Sequence, residues 1–349
     1  MPDPEPGPTG LTYAASGVDI DAGDRAVAGM KELVRSTYRP GVVGDIGGFG
    51  GLFRLPAGYR DPVLVASTDG VGTKLAVAKA IGRFDTVGLD LVAMCVDDLV
   101  CQGAEPLFFL DYQAHGDLSP GMVLELMTGI AEGCRQAGCA ILGGELAAHP
   151  DILAPGDVDL VGFAVGVVEG DALLDGSGVR PGDALVGLAS PGLRSNGYSL
   201  ARQALLVVAG RRLDGPAWDG ASRTLGDELL EPSVIYAPAI RALLAAVDVH
   251  GVAHITGGGL PGNVPRVLPD GCGAVVNRGS WEVPRIFGEV QRAGGVSDDE
   301  MARVFNLGLG MVAVVPASEV GTAIEVLAGA GVPATPVGHV VAGRRGLTF

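Results

Sequence analysis

Positive charge is scarce in this chain. Its 349 residues carry 24 lysines and arginines against 40 aspartates and glutamates, a formal charge of −16. Such a field repels nucleic acid and anionic lipid surfaces, so neither is expected as a partner. An anionic small-molecule substrate is still compatible, provided a few local donors outweigh the global field. Cysteine is sparse too. Cys95, Cys101, Cys134, Cys139 and Cys272 form an odd set without a CxxC pair, and only five histidines accompany them. That argues against a zinc site and reads as buried, reduced thiols in a cytosolic protein. No apolar run approaches the ~20 residues a membrane helix requires. The acidic, Pro- and Gly-rich start MPDPEPGPTG is unlike a signal peptide. The expectation is a cytoplasmic protein. No collagen-like repeat organises the 57 glycines, which therefore belong to loops and tight turns.

What is present suffices for packed cores: 48% of residues are hydrophobic. The length suggests two domains of roughly 150–200 residues. Residues 1–10 read as a disordered lead. Helical spacing of Val27, Met30, Leu33 and Val34 predicts a helix from near Asp21 that ends before Arg39-Pro40. Residues 44–51 (GDIGGFGG) read as a flexible loop. Strands are expected over 62–66, 107–112, 139–142 and 160–168, with helices over 89–102 and 122–136. The polar stretch after residue 168 places a domain boundary near 170, giving domains 11–170 and 171–349. The second half predicts strands over 184–189, 273–277 and 310–315 and a last one ending near Val341. Its helices are expected over 200–208, 233–246, 262–267 and 319–330. Both halves mix helix and strand, so the fold class is α+β with an α/β-like order.

Four segments carry chemistry. Residues 67–74 (STDGVGTK) follow a strand, and Asp69 sits where a strand ends, a usual place for a metal-holding carboxylate. Gly70 and Gly72 let backbone N–H groups approach phosphate, Thr73 offers a hydroxyl and Lys74 a point charge. The Walker A pattern is not met, and a plain turn with a solvated lysine reads equally well. In Val96-Asp97-Asp98-Leu99, Asp98 shares a helical face with Met94 and Gln102 and is the carboxylate expected to point inward. Asp90 lies about two turns earlier. Inward carboxylates without basic partners call for a bound cation, whereas solvated helix-face charge is the blander reading. Ile255-Thr256-Gly257-Gly258-Gly259-Leu260 followed by Asn263 suggests a strand, a glycine turn and a helix start offering N–H donors to a phosphate. Arg194-Ser195-Asn196-Gly197 joins a cation, a hydroxyl and an amide in one turn, or else caps a helix.

Together these segments are more specific than any one. The sequence resembles the phosphoribosylformylglycinamidine cyclo-ligases, one branch of an ATP-binding family that includes thiamine-monophosphate kinase and selenophosphate synthetase. The resemblance rests on GVDIDAGDRAV (17–27), GGFGGLF (47–53), STDGVGTK (67–74), DLVAMCVDDLVCQGAEPLFFLDY (90–112), GIAEGC (129–134) and GGE (143–145). In the second half it rests on SNGYSL (195–200), HITGGGLPGNVPRVLP (254–269) and FNLGLGMV (305–312). It implies a homodimer whose N-terminal domains form a shared barrel-like sheet, with a C-terminal α+β domain beside each. The implied cofactors are ATP and Mg2+, and the implied reaction phosphorylates the formamide oxygen of formylglycinamidine ribonucleotide and closes the imidazole ring. On that resemblance Asp69 and Asp98 are expected to bind metal and Lys74 to bind phosphate. Gly47, Gly48, Phe49 and Gly50 would cover the nucleotide beside Gly70, Gly72 and Thr73. Gly257, Gly258, Gly259 and Asn263 would hold the substrate phosphate, while Glu145, Arg194 and Asn196 would act near the reacting atoms.

The chain departs from the family's GGETAE, placing Leu146 and Ala148 where a hydroxyl and a carboxylate usually stand. It also carries Arg194 where the family has histidine, and arginine is no general base. Arg194 is instead expected to bind a phosphate or carboxylate bidentately. These changes leave open a paralogue acting on another amide, or a nucleotide-binding regulatory partner without turnover.

Overall fold

A computed structural model describes residues 10–349; the lead expected over 1–10 lies, apart from Gly10, outside them. Up to residue 169 the elements are α1 (Ile20–Arg35), β1 (Val42–Val43), β2 (Leu52–Phe53), β3 (Pro62–Gly70), α2 (Leu75–Ile81), α3 (Val87–Cys101), β4 (Glu105–His115), α4 (Pro120–Ala137), β5 (Ala140–Ala148) and β6 (Val158–Glu169). The Asp19 carboxylate starts α1 by accepting from the Ala22 N–H at 3.1 Å, and the helix buries Ala22, Ala26 and Val34. A four-stranded sheet runs β3–β6–β4–β5, antiparallel except for β4 and β5, which are parallel because α4 carries the chain back between them.

Helix α3 is the spine of the molecule. Only Leu89 and Asp98 escape full burial along it, as expected of a helix that is apolar nearly all round. It packs on β3, β6 and α4 of the first half and touches residues 237–246 and 251–254 of the second. Gly88 permits the closest approach: a Cβ there would run into the backbone of Leu126 and Ile130 on α4. Truncating Leu91 or Met94, both buried, to alanine costs about 2–5 kcal/mol each.

The second half contains β7 (Ala184–Ala189), α5 (Tyr198–Arg202), α6 (Leu225–Leu229), α7 (Ala237–Ala246), β8 (Gly251–His254), α8 (Gly259–Asn263), β9 (Cys272–Val276), α9 (Arg285–Gly294), α10 (Asp298–Val304), β10 (Leu309–Val315), α11 (Val320–Gly329), β11 (Ala334–Ala342) and β12 (Leu347–Thr348). Its sheet runs β12–β9–β11–β7–β10–β8, antiparallel but for β12 beside β9. Strand β10 shows how both faces fill. Met311, Ala313 and Val315 join a core continuous with the first half, whereas Val312 and Val314 pack with Leu185, Leu260 and Val264 behind the sheet. The result is a two-domain α+β architecture.

Several expected boundaries shift for identifiable reasons. The helix expected over 233–246 begins only at Ala237, because the N–H groups of Ser233 and Tyr236 bond carboxylates of α3 instead. The helix expected over 200–208 starts at Tyr198 and loosens into π-type turns from Gln203. Strand β3 runs on through Asp69 into Gly70, so the first half of STDGVGTK is strand rather than turn. Helices α2, α6, α9 and α10 were not foreseen. Among the described residues no helix is long and apolar enough to cross a membrane.

Candidate functional site

Two buried ion pairs hang on α3, seven residues apart and so on one face. Asp90 meets Lys74 Nζ at 2.5 Å and accepts from the Ser233 N–H at 2.8 Å and the Ser233 hydroxyl at 2.6 Å. Asp97 meets Arg194 at 2.8 Å and accepts from the Tyr236 N–H at 2.8 Å. Each carboxylate thus ties the segment ahead of α7 to the spine. Burial pushes the Asp90 and Asp97 carboxyls up and Lys74 down, and the paired charges oppose it. The cation that the inward carboxylates demanded is supplied by the chain itself.

This arrangement corrects three expectations. Asp97, not Asp98, is the inward member of the Asp-Asp pair. Lys74, expected to reach phosphate, is wholly buried; besides Asp90 it donates to the Glu231 carbonyl at 2.7 Å and sits 5.7 Å over the Tyr198 ring. Arg194, expected to bind a phosphate or carboxylate bidentately, is buried as well and meets a carboxylate of the chain itself, Asp97, through a single nitrogen. It donates to the Val234 carbonyl at 2.9 Å, contacts His254 Nε2 at 3.0 Å and lies 4.9 Å over the Tyr236 ring. Its φ of 63° is left-handed, a conformation that these contacts must hold in place.

Asp98 turns the other way, into the crevice between the halves, with its side chain 45% exposed. It accepts from Ser67 Oγ at 3.0 Å and meets His254 Nδ1 at 2.9 Å. Burial tends to raise its pKa, but the bonds from His254 and Ser67 outweigh that and hold it below the ordinary carboxylate value. Asp69 stands near it at the end of β3. Burial chiefly, with repulsion from Asp98 added, pushes the Asp69 carboxyl up despite the Gly70 N–H that bonds it at 2.7 Å. That bond occupies the Gly70 N–H expected to face phosphate. Beside them Thr73 Oγ1 meets Ser199 Oγ at 3.1 Å, another link between the halves. Among the described residues neither Asp69 nor Asp98 has a lysine or arginine partner. Nor do three His, Cys, Asp or Glu side chains converge there to hold an ion unaided. A magnesium ion needs no such cage: one or two carboxylates plus phosphate oxygens suffice, so the donor set fits metal that arrives with nucleotide.

The glycine turn after β8 lies against the Ser195-Asn196-Gly197 turn, with Asn196 nearest Gly257. Asn263 is buried and its amide is spent within the chain, donating to the carbonyls of Gly259 at 2.9 Å, Gly257 at 3.2 Å and Thr256 at 3.3 Å. It therefore shapes the turn rather than facing a ligand, correcting its expected role. Gly259 has φ of 57°, and a Cβ there would strike the Ala302 carbonyl. Its N–H bonds the Thr256 carbonyl at 3.0 Å, which leaves Gly257 and Gly258 as the phosphate-facing candidates.

A separate cavity of about 560 Å3 lies under the glycine loop. Gly47, Gly48, Phe49 and Gly50 form its rim, Met30 and Val34 of α1 one wall, and Asp111, Gln113 and Glu145 its polar lining. Phe49 is fully exposed. Glu145 Oε1 accepts from the Leu146 N–H at 2.9 Å. Burial pushes the Asp111 carboxyl up to about 6, partly countered by Gln113, whose Nε2 donates to it at 2.7 Å. The loop and Glu145 line this cavity, while Asp69, Asp98 and Thr73 cluster at the crevice. His254, Ser67, Asp111 and Gln113 were not singled out from sequence, although His254 opens the segment HITGGG and was within reach.

With this geometry in view, comparison with known proteins is direct. The model of the N-terminal domain of AIR synthase related proteins matches residues 51–168, and that of the C-terminal domain matches residues 180–348. The phosphoribosylformylglycinamidine cyclo-ligase of Anaeromyxobacter sp. (strain Fw109-5) is 57% identical over 336 residues, covering 95% of this chain and 96% of its own. That of Myxococcus xanthus (strain DK1622) is 56% identical, covering 96% and 97%. Among solved structures, thiamine-monophosphate kinase from Stenotrophomonas maltophilia K279a superposes with a TM-score of 0.67 at 19% identity, over 93% of this chain and 94% of that one. The hydrogenase maturation protein HypE in complex with ATP superposes at 0.65 with 18% identity, over 95% and 90%. These two likenesses speak to the fold.

Proposed function

The chain belongs to the phosphoribosylformylglycinamidine cyclo-ligase family, and on that premise we propose how its own residues divide the work. It is an ATP-dependent C–N ligase of purine biosynthesis that converts formylglycinamidine ribonucleotide to aminoimidazole ribonucleotide. The chemical problem is a poor leaving group. Transfer of the γ-phosphoryl to the formamide oxygen releases ADP and makes that oxygen a phosphate ester. The amidine nitrogen then forms its bond to the activated carbon, loses a proton, and inorganic phosphate departs with the oxygen.

The crevice suits the phosphoryl step. The carrying observation is that Asp90 and Asp97 each hold a buried cation, whereas among the described residues Asp98 and Asp69 have no lysine or arginine partner. Asp69 and Asp98 are assigned to hold the Mg2+ of ATP, which would neutralise charge developing on the transferred phosphoryl group. Thr73 and Gly72 lie beside the phosphates. Gly47, Gly48, Phe49 and Gly50 cover the nucleotide, and Glu145 serves metal or reacting group from the cavity below. Gly257 and Gly258, with Asn196 near them, take the substrate's ribose phosphate. Lys74 and Arg194 act from beneath, by fixing Asp90 and Asp97. Leu146, Ala148 and Arg194 leave the Asp69–Asp98 cluster intact, so the departures from the family pattern do not favour a regulatory protein or another substrate.

The boundary near residue 170 separates an N-terminal ATP-binding and dimerisation domain from the C-terminal domain. On the open face of the first sheet Leu64 (63% exposed), Val161, Phe163 and Tyr112 stand in solvent. That apolar stripe is assigned to a second copy of the chain, forming the shared barrel-like sheet of a homodimer in the cytoplasm. The direct test incubates the purified protein with formylglycinamidine ribonucleotide, ATP and Mg2+. Aminoimidazole ribonucleotide, ADP and phosphate should form in equal amounts; ADP without the imidazole product would overturn the assignment.

A further inference from the structure

We infer that Arg194 is a positioning residue: by donating to His254 Nε2 it fixes that imidazole as the Nδ1–H tautomer, which in turn orients Asp98 toward the crevice. The inference rests on the reading of Asp98 as a group that faces the nucleotide's metal.

The chain of contacts allows only one proton placement. A guanidinium carries donors and no acceptor. At 3.0 Å from Arg194 the His254 Nε2 must therefore present its lone pair. The ring proton is then on Nδ1, which lies 2.9 Å from Asp98 Oδ1, an acceptor. Both ends of the ring thus agree on one tautomer. Such a bond is what orients a ligating carboxylate in other metal sites, where its loss typically weakens metal binding 10–100-fold.

Arg194 itself cannot swing away to serve the substrate. Asp97 at 2.8 Å neutralises it, the Val234 carbonyl accepts from a second guanidinium nitrogen at 2.9 Å, and the Tyr236 ring lies against it. It is only 2% exposed. The segment 234–236 thereby reaches the Asp98 carboxylate through a single imidazole. A purely structural brace would need Asp97, Val234 and Tyr236 but not the contact to His254.

The test is 15N NMR of histidine-labelled, nucleotide-free protein, with His254 assigned by the signals lost in His254→Asn. The native ring should show a protonated Nδ1 and a bare Nε2; in Arg194→Met, where Asp98 alone holds the ring proton, the Nε2–H tautomer should appear as an admixture. In turnover, Arg194→Met should raise the Mg2+ concentration for half-saturation by about tenfold or more. That rise should vanish in the His254→Asn background, where the amide donates to Asp98 whatever stands at 194. A protonated Nε2 in the native protein, or an unaltered tautomer in Arg194→Met, would overturn the inference; so would a tautomer shift that leaves Mg2+ dependence unchanged. If Arg194→Met does not fold, the native spectrum and Arg194→Lys, which retains the charge against Asp97, decide it. Unchanged Mg2+ dependence in Asp98→Asn would instead sink the metal reading and leave the tautomer result standing.

Discussion

At the scale of single residues, burial decides what each charged side chain does. Lys74 looks like a phosphate ligand in STDGVGTK, yet it is buried against Asp90. Lys74→Met strands that carboxylate without a cation and is expected to cost about 3–5 kcal/mol of stability. Lys74→Met with Asp90→Leu should recover most of it in urea unfolding, since both buried charges are then gone. A loss of ATP affinity with full stability would contradict this. Asp111 supplies a pH test. Its carboxyl is pushed from 3.8 up to about 6, so the folded state binds this proton more tightly than the unfolded chain does. The cost of ionising it sets in as pH rises through that interval and persists above it. Asp111→Asn should therefore stabilise the protein at neutral pH by on the order of 2 kcal/mol, an advantage that fades below about pH 4. His115, pushed down to about 4 by burial, works with opposite sign: its contribution is lost as pH falls from about 6.5. The two slopes oppose each other in the native protein, and only the single variants separate them. Sequence could not show this, because Lys74, Asp97 and Arg194 are assigned by partners from 16 to 97 positions away.

At the scale of elements, the local signals were largely readable. The spacing of Val27, Met30, Leu33 and Val34 and the ranges expected at 122–136, 160–168 and 310–315 place α1, α4, β6 and β10 within a few residues. At the start of α7 a tertiary bond had overridden the local pattern. Residues 233–236 have helical company, but Ser233 and Tyr236 give their N–H groups to Asp90 and Asp97. The turn at residues 257–259 was recognised as a glycine turn, although the spending of Asn263 on its carbonyls was not. Gly259→Ala tests that geometry. The new Cβ meets the Ala302 carbonyl at the end of α10, so α10 must move. The expected outcome is a loss of about 1–3 kcal/mol together with a raised KM for the ribonucleotide, and native values of both would contradict it.

At the scale of the whole molecule, one buried helix joins two sheets, and the site opens where its single exposed carboxylate meets β3 and β8. The family was legible from motifs spread along most of the chain. The division of expected residues into a crevice cluster and a loop-covered cavity was not, because proximity across halves leaves no trace in spacing. The first sheet's open face gives a prediction at this scale. Phe163→Asp should convert a dimer into monomers in sedimentation, and a native protein that sediments as a monomer would contradict the dimer. The central claim is that Asp98, turned out from the spine, serves ATP-dependent ring closure. Its most direct test compares kcat/KM for aminoimidazole ribonucleotide formation by the native protein and by Asp98→Asn of unchanged circular dichroism. A fall of at least about 100-fold, or ~2.7 kcal/mol of transition-state stabilisation, is the expected result; a variant turning over at the native rate would contradict the account.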